Sequence, residues 1–327
     1  MMAGNIKEPV TPNVACVTSI PGVTLDLGFS ALERHLEALE KAAEGLRRAD
    51  DIEDVHQARV SLRRLRSVFS LLEPQIGKGL RPLEQRAKKI LGVLGPVRDL
   101  DVQIDFLERH LMALKNAAFR PGVRRILLRL KNRRAELQSS LNELYTTSAV
   151  GELCKRVRQA LTSWRTRRDE GWILYHYLLP YIEDLLAFDE FIHNQEAIET
   201  LHKARIAAKR LRYALEIVLP IEPSALEKPL KEFKRLQEVL GDIHDCDVWV
   251  VTIRDFMARE PVKMLEFLGH DRGMRRIAPG CENLLLMISR KRNRLHVRLV
   301  ELWNRLQTED FWGDLAVRLK AILQQSP

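Results

Sequence analysis

The stretch that decides the fold is His56-Gln-Ala-Arg-Val-Ser-Leu-Arg-Arg-Leu-Arg66, because it occurs twice; the second copy is His202-Lys-Ala-Arg-Ile-Ala-Ala-Lys-Arg-Leu-Arg212. At a helical turn of about 100° per residue, His56, Arg59, Arg63 and Arg66 fall within an arc of about 80°. Leu62, Leu65, Phe69 and Leu72 fall on the opposite side. The spacing predicts a helix with one leucine face and one cationic stripe. His202, Arg205, Lys209 and Arg212 repeat the stripe, opposite Ala204, Leu211, Leu215 and Val218.

The match extends outward from these helices. Leu94-Gly-Pro-Val-Arg-Asp-Leu-Asp-Val102 corresponds to Leu240-Gly-Asp-Ile-His-Asp-Cys-Asp-Val248. His56 and His202, Pro74 and Pro220, and Asp99 and Asp245 are each 146 positions apart, and Lys88-Lys89 fall on Lys234-Arg235. A constant register over several helices marks a duplicated unit, far longer than a solenoid repeat. Leucine dominates the apolar residues, aromatics make up only 6%, and no segment alternates as a strand would.

The expected fold is therefore all-α: two domain-sized repeats packed together, each with four principal helices. Residues 1–28 read as a flexible leader, 29–168 as the first repeat and 169–327 as the second. In the first, Ser30 with Glu33 forms a capping box that opens a helix. A second helix covers about 55–72 and stops before Pro74; a third covers about 83–94 and is broken at Gly95-Pro96 before a helical stretch with Val102 and Phe106. The last spans about 122–145. After a polar break at 167–171, the second repeat is expected to hold helices at about 172–188, 201–219, 226–240, 248–257 and 281–303, with 273–280 as a loop.

The chain has 327 residues, 46% hydrophobic and 30% charged, which fits a globular protein rather than a disordered one. Its formal charge is +9. Such a balance suits an acidic partner: nucleic acid, an anionic membrane surface or a phosphate polymer. Cys16, Cys154, Cys246 and Cys281 are widely spaced, which argues for a reducing compartment and against a zinc site. No segment approaches the ~20 apolar residues of a membrane span, and residues 1–28, interrupted by Pro9, Pro12 and Pro21, lack the pattern of a secretory signal. The reading is a cytoplasmic protein without membrane attachment.

The charge is segregated by segment. Arg120, Arg124, Arg125, Arg129, Lys131, Arg133 and Arg134 come with no acid among them, as do Arg290, Lys291, Arg292, Arg294 and Arg298. Like charges at helical spacing repel by a few tenths of a kcal/mol per pair, so such faces call for a partner. Arginine offers a rigid donor fork matched to phosphate oxygens, and rows of cations about 5–6 Å apart can meet successive phosphates. A polyanion would also favour protonated His56 and His202; the competing reading makes both histidines buried hydrogen-bonding residues near a helix start.

The two H-x-x-R-x-x-x-[RK]-R-x-R helices, the two L-G-x-x-[RH]-D-x-D-V segments and the basic final helices resemble the CHAD family, the conserved histidine α-helical domain, from about residue 29 to 323. The resemblance implies an inorganic polyphosphate-binding module built as two pseudo-symmetric repeats, each a four-helix bundle, packed around a central basic channel, in some bacterial members associated with polyphosphate granules and their proteins. Carried over, His56, Arg59, Arg63, Arg66, His202, Arg205, Lys209 and Arg212 would line the channel, with Lys88, Lys89, Lys234, Arg235, Arg134 and Arg292 as outer additions. His244 stands where the first repeat has Arg98, and Lys209 where it has Arg63, so the repeats differ at two positions of the site. Many relatives carry a CYTH enzyme domain; its Glu-x-Glu-x-Lys strand does not occur here, so the module reads as standing alone, a binder without cofactor, metal or catalytic residues.

Two rivals have different chemistry. His244-Asp245 has the look of a metal-dependent phosphohydrolase dipeptide, but its counterpart is Arg98-Asp99, and arginine does not ligate a metal. Asp99, Asp101, Asp245 and Asp247 read instead as helix caps or partners of nearby arginines. The runner-up is single-stranded nucleic-acid binding, which the same charges allow; against it, Tyr213 is the main aromatic residue beside the stripes.

Overall fold

A computed structural model describes residues 23–46, 52–165 and 174–325; the polar break at 167–171, Trp172 and most of the expected leader lie outside them. Among the described residues there are twelve α-helices and no strand. They are α1 (Val23–Leu46), α2 (Ile52–Ile76), α3 (Arg81–Ala113), α4 (Arg120–Glu136), α5 (Gln138–Thr146), α6 (Ala149–Trp164), α7 (Leu174–Leu186), α8 (Asp189–Ile192), α9 (Ile198–Val218), α10 (Pro223–Leu268), α11 (Met274–Thr308) and α12 (Phe311–Gln325). The matched segments of the sequence repeat fall on α2 and α9, and on α3 and α10.

Apolar faces place these helices as the pattern demands. Leu62, Leu65, Phe69 and Leu72 of α2 are buried, as are Ala204, Leu211, Leu215 and Val218 of α9. α2 packs between α1 and α3, with α6 closing against α1 and α3; α9 packs against α7 and α10, and α10 against α11. The first set meets the second where α2 and α1 pack against α9, and where α4 and the turn before it pack against α11.

Several expected boundaries are wrong, each for a packing reason. α1 begins at Val23, so Ser30 lies inside it and is not a cap. Gly28 belongs to this helix as the point where α2 comes closest: a Cβ there would stand 2.6 Å from Leu72 Cδ2. α2 runs through Pro74 to Ile76, with Leu71, Leu72 and Ile76 buried around the lost hydrogen bond. Gly95-Pro96 does not break α3. A glycine before proline has no Cβ to meet the ring, and Leu94 and Val97 on either side are both buried.

The same reasoning merges the two expected segments of the second repeat into α10, 46 residues and roughly 70 Å long, which ends at Gly269 in the left-handed conformation. The expected helix over 122–145 is instead divided into α4 and α5, and α6 follows after Ser148, whose φ is 49°.

The expected loop at 273–280 is the first two turns of α11. Those turns cross α4 at two facing glycines. A Cβ on Gly280 would sit 2.1 Å from the Phe119 carbonyl oxygen, and one on Gly122 would sit 2.2 Å from that of Ile277. Gly280 reads as a loop signal in sequence, yet here it permits contact between two backbones.

Candidate functional site

The stripes of α2 and α9 do not face open solvent. His56, Arg59, Arg63, Arg66, His202, Arg205, Lys209 and Arg212 are all half-buried. The packing of α2 on α9 brings the central members together: Arg59, Arg63 and Arg205 all act on Lys209 through space. Burial, reinforced by Arg205, Arg63 and Arg59, pulls the Lys209 ammonium down to about 7. Arg59 and Arg205 are likewise pulled below the usual arginine value, by burial first, with Arg63 adding repulsion to both.

Few carboxylates answer this charge. Asp99 on α3 accepts a hydrogen bond from Arg59 Nη2 at 2.8 Å, and Asp245 on α10 favours the charged forms of Arg205 and Lys209. Among the described residues, no carboxylate oxygen forms an ion pair within 4.0 Å of Arg63, Arg98, Arg205 or Lys209. At the far end of each stripe the pairing is more complete: Arg66 meets Glu84 at 3.0 Å, and Arg212 meets Glu216 at 2.8 Å while lying 4.8 Å above the Tyr213 ring.

The two histidines differ. His56 Nδ1 is shielded from solvent without a hydrogen-bond partner among the described residues, and burial followed by Arg98 holds its pKa below the usual value. His202 Nδ1 lies 3.1 Å from His244 Nδ1, so one ring donates and the other accepts. Burial, then Arg205, His202 and Lys209, drive His244 down to about 4. Arg98 and His244 thus belong to the cluster although the stripe pattern does not include them. The sequence signal for them was the fixed register of the two L-G-x-x-[RH]-D-x-D-V segments.

The outer positions divide into two kinds. Lys88, Lys89, Lys234 and Arg235 are exposed on α3 and α10. Lys88 precedes Asp99 by eleven residues, which puts both on one helix face about 16 Å apart, and Lys234 stands likewise to Asp245. Of the exposed four, Arg235 donates to Glu232 at 2.7 Å, and the less exposed Arg134 and Arg292 are also held by acids. Arg134 donates to Asp101 at 2.7 Å, and buried Arg292 donates to Asp247 and to the Gln195 carbonyl oxygen, the latter at 2.9 Å. Three of the four aspartates singled out in the sequence therefore pair with arginine: Asp99, Asp101 and Asp247.

Three further arginines of α4 find acids in the same way, Arg133 through Glu136 at 2.7 Å. Arg125 and Arg129 both bind the buried Glu260 of α10, at 2.5 and 2.8 Å, and Lys131 meets Glu108 at 2.6 Å. No described helix is long and apolar enough to cross a membrane.

The described residues thus form an all-helical module with half-buried basic stripes on two packed helices. The match to the CHAD domain covers residues 30–254, and the chain belongs to the CHAD family. The crystal structure of the CHAD domain from the plant Ricinus communis has the same fold, with a TM-score of 0.65 and 19% identity over 90% of this chain and 97% of that one. Two uncharacterised proteins of Mycobacterium tuberculosis, from strains CDC 1551 and H37Rv, are 28% identical over 233 residues. The match covers 62% of this chain but only 40% of each of those proteins.

Proposed function

We propose that the α2–α9 cluster binds inorganic polyphosphate, along a basic channel between two four-helix bundles related by the sequence repeat. The observation that carries this is the half-buried group Arg59, Arg63, Arg98, Arg205 and Lys209, which α2, α3 and α9 press together and which, among the described residues, Asp99 and Asp245 answer. Holding like charges together in partial burial is unfavourable until an anion arrives, so the fold stores an affinity for negative charge. Phosphate oxygens suit the arginine forks, and a chain of phosphates suits cations repeated along α2 and α9. Membership of a family associated with phosphate-related binding supports the same reading.

Lys88 and Lys234 extend the row along α3 and α10 and would meet the chain as it leaves the cluster. Arg134 and Arg292 act indirectly, by fixing α3 and α10 through Asp101 and Asp247. The protein binds the polymer rather than transforming it. His244, the histidine of the phosphohydrolase-like dipeptide, is engaged by His202. A place in the cytoplasm, at polyphosphate granules and beside their proteins, follows from this binding reading.

Single-stranded nucleic acid is the alternative, and Tyr213 weighs against it: the Arg212 guanidinium covers a face that a base would need. The test is binding of long-chain polyphosphate at about physiological salt, where weak surface attraction is screened, against short oligophosphates and single-stranded RNA. Tight binding that grows with phosphate chain length supports the proposal. Equal or tighter binding of RNA overturns it.

A further inference from the structure

The two repeats supply different kinds of charge to the cluster. The first provides His56, Arg59, Arg63 and Arg98, one titratable group among three permanent cations. The second provides His202, Arg205, Lys209 and His244, three titratable groups around one arginine. Both exchanges occur at positions in exact register, Arg63 against Lys209 and Arg98 against His244.

Geometry makes the exchange consequential. With Nδ1 atoms 3.1 Å apart, the His202–His244 pair can share one bridging proton, whereas two protonated rings would bring two N–H groups against each other. The pair therefore carries less than its full charge in the free protein. Its surroundings act in the same direction. α9 contributes Arg205 and Lys209, and α2 brings Arg59 and Arg63 towards Lys209. α10 adds Asp245, and α3 adds Asp99, which is engaged by Arg59. From α11, Lys291 lies 3.6 Å from Asp242 and Arg292 is held by Asp247, so neither acid is free to charge the histidines.

We infer that the second repeat is a proton-coupled grip: Lys209, His202 and His244 become fully cationic as a polyphosphate chain enters, taking up protons from water, while the first repeat holds the chain with fixed charge. This rests on the polyphosphate reading above and adds its regulation: affinity rises as the medium acidifies. The sign follows from linkage. A bound polyanion raises the proton affinity of each group, binding consumes protons, and affinity falls with pH between the free-state value and the higher bound-state value. Lys209, at about 7 when free, governs the neutral-to-alkaline limb. The histidine pair, with His244 at about 4 when free, governs the acidic limb.

The experiment is calorimetric titration of the full chain with long-chain polyphosphate between about pH 5 and about pH 8.5, in buffers of different ionisation enthalpy. The parent protein is expected to take up protons and to lose up to about tenfold in affinity per pH unit above neutrality. Lys209→Arg should flatten that limb, and His244→Arg should reduce proton uptake on the acidic one. Arg98→His, which makes the first repeat resemble the second, should steepen the acidic limb and shows whether the register argument holds if either other variant folds poorly. Binding without proton uptake, or slopes unchanged in all three variants, overturns the proton-coupled grip and leaves polyphosphate binding intact. Absence of polyphosphate binding at every pH overturns both.

Discussion

The basic run of α4 and the basic stripe of α2 look alike on paper, both rich in arginine and poor in acids. In space they are opposites. Arg125 and Arg129 of α4 share the buried carboxylate of Glu260, 131 or more residues away in sequence, and Arg134 holds Asp101. Arg63 of α2 instead meets more cations, Arg205 and Lys209 of α9. A cationic run is thus an anion site only where the fold withholds carboxylates from it. On α4 the same residues tie one part of the chain to another.

The sharpest way to break this comparison is to replace Arg59, Arg63, Arg205 and Lys209 together by alanine. Charge-assisted contacts contribute about 1.5–3 kcal/mol each, so polyphosphate affinity should fall at least ~1000-fold. Melting temperature should hold or rise slightly as repelling charges are removed, and a variant that binds as tightly as the parent would end the argument.

Glu260→Ala should do the reverse. Removing one partner of a buried pair costs about 3–5 kcal/mol, and the partial exposure of Arg125 and Arg129 brings the expectation to about 2–3 kcal/mol of lost stability. Denaturant unfolding reads the loss, while affinity of the folded fraction for polyphosphate should stay within about twofold.

Gly280→Ala probes the crossing of α4 and α11 without touching charge. Its Cβ would meet the Phe119 carbonyl, and overpacking of this kind costs about 1–3 kcal/mol, measurable as a lower unfolding midpoint. The smallest effect belongs to Lys88→Ala with Lys89→Ala. These exposed lysines act through screened solvent, so affinity should drop less than ~10-fold, and the drop should vanish at high salt.

Much of this was legible from local pattern. The leucine faces of α2 and α9 are buried where a 3.6-residue period puts them, because burying that face outweighs every other local choice. Punctuation was misread where glycine and proline serve packing. Gly28 and Gly280 allow close approach rather than turns, and Pro96 follows a glycine that lets α3 continue. α6 lay outside the expected elements, although its buried Leu153, Val157 and Leu161 keep helical spacing.

By itself, the sequence determined that the chain is helical, that it repeats, and which helix faces are apolar and which cationic. Those properties depend on residues three or four apart, which a helix brings together wherever it lies. Only the tertiary structure decided which cations are paired and which are not. Glu260, Asp101 and Asp247 reach their arginines across 33 to 135 positions of chain, while Arg63 finds none within ion-pair distance among the described residues. Coulomb interactions depend on separation in space and on burial, and neither is written in the order of residues.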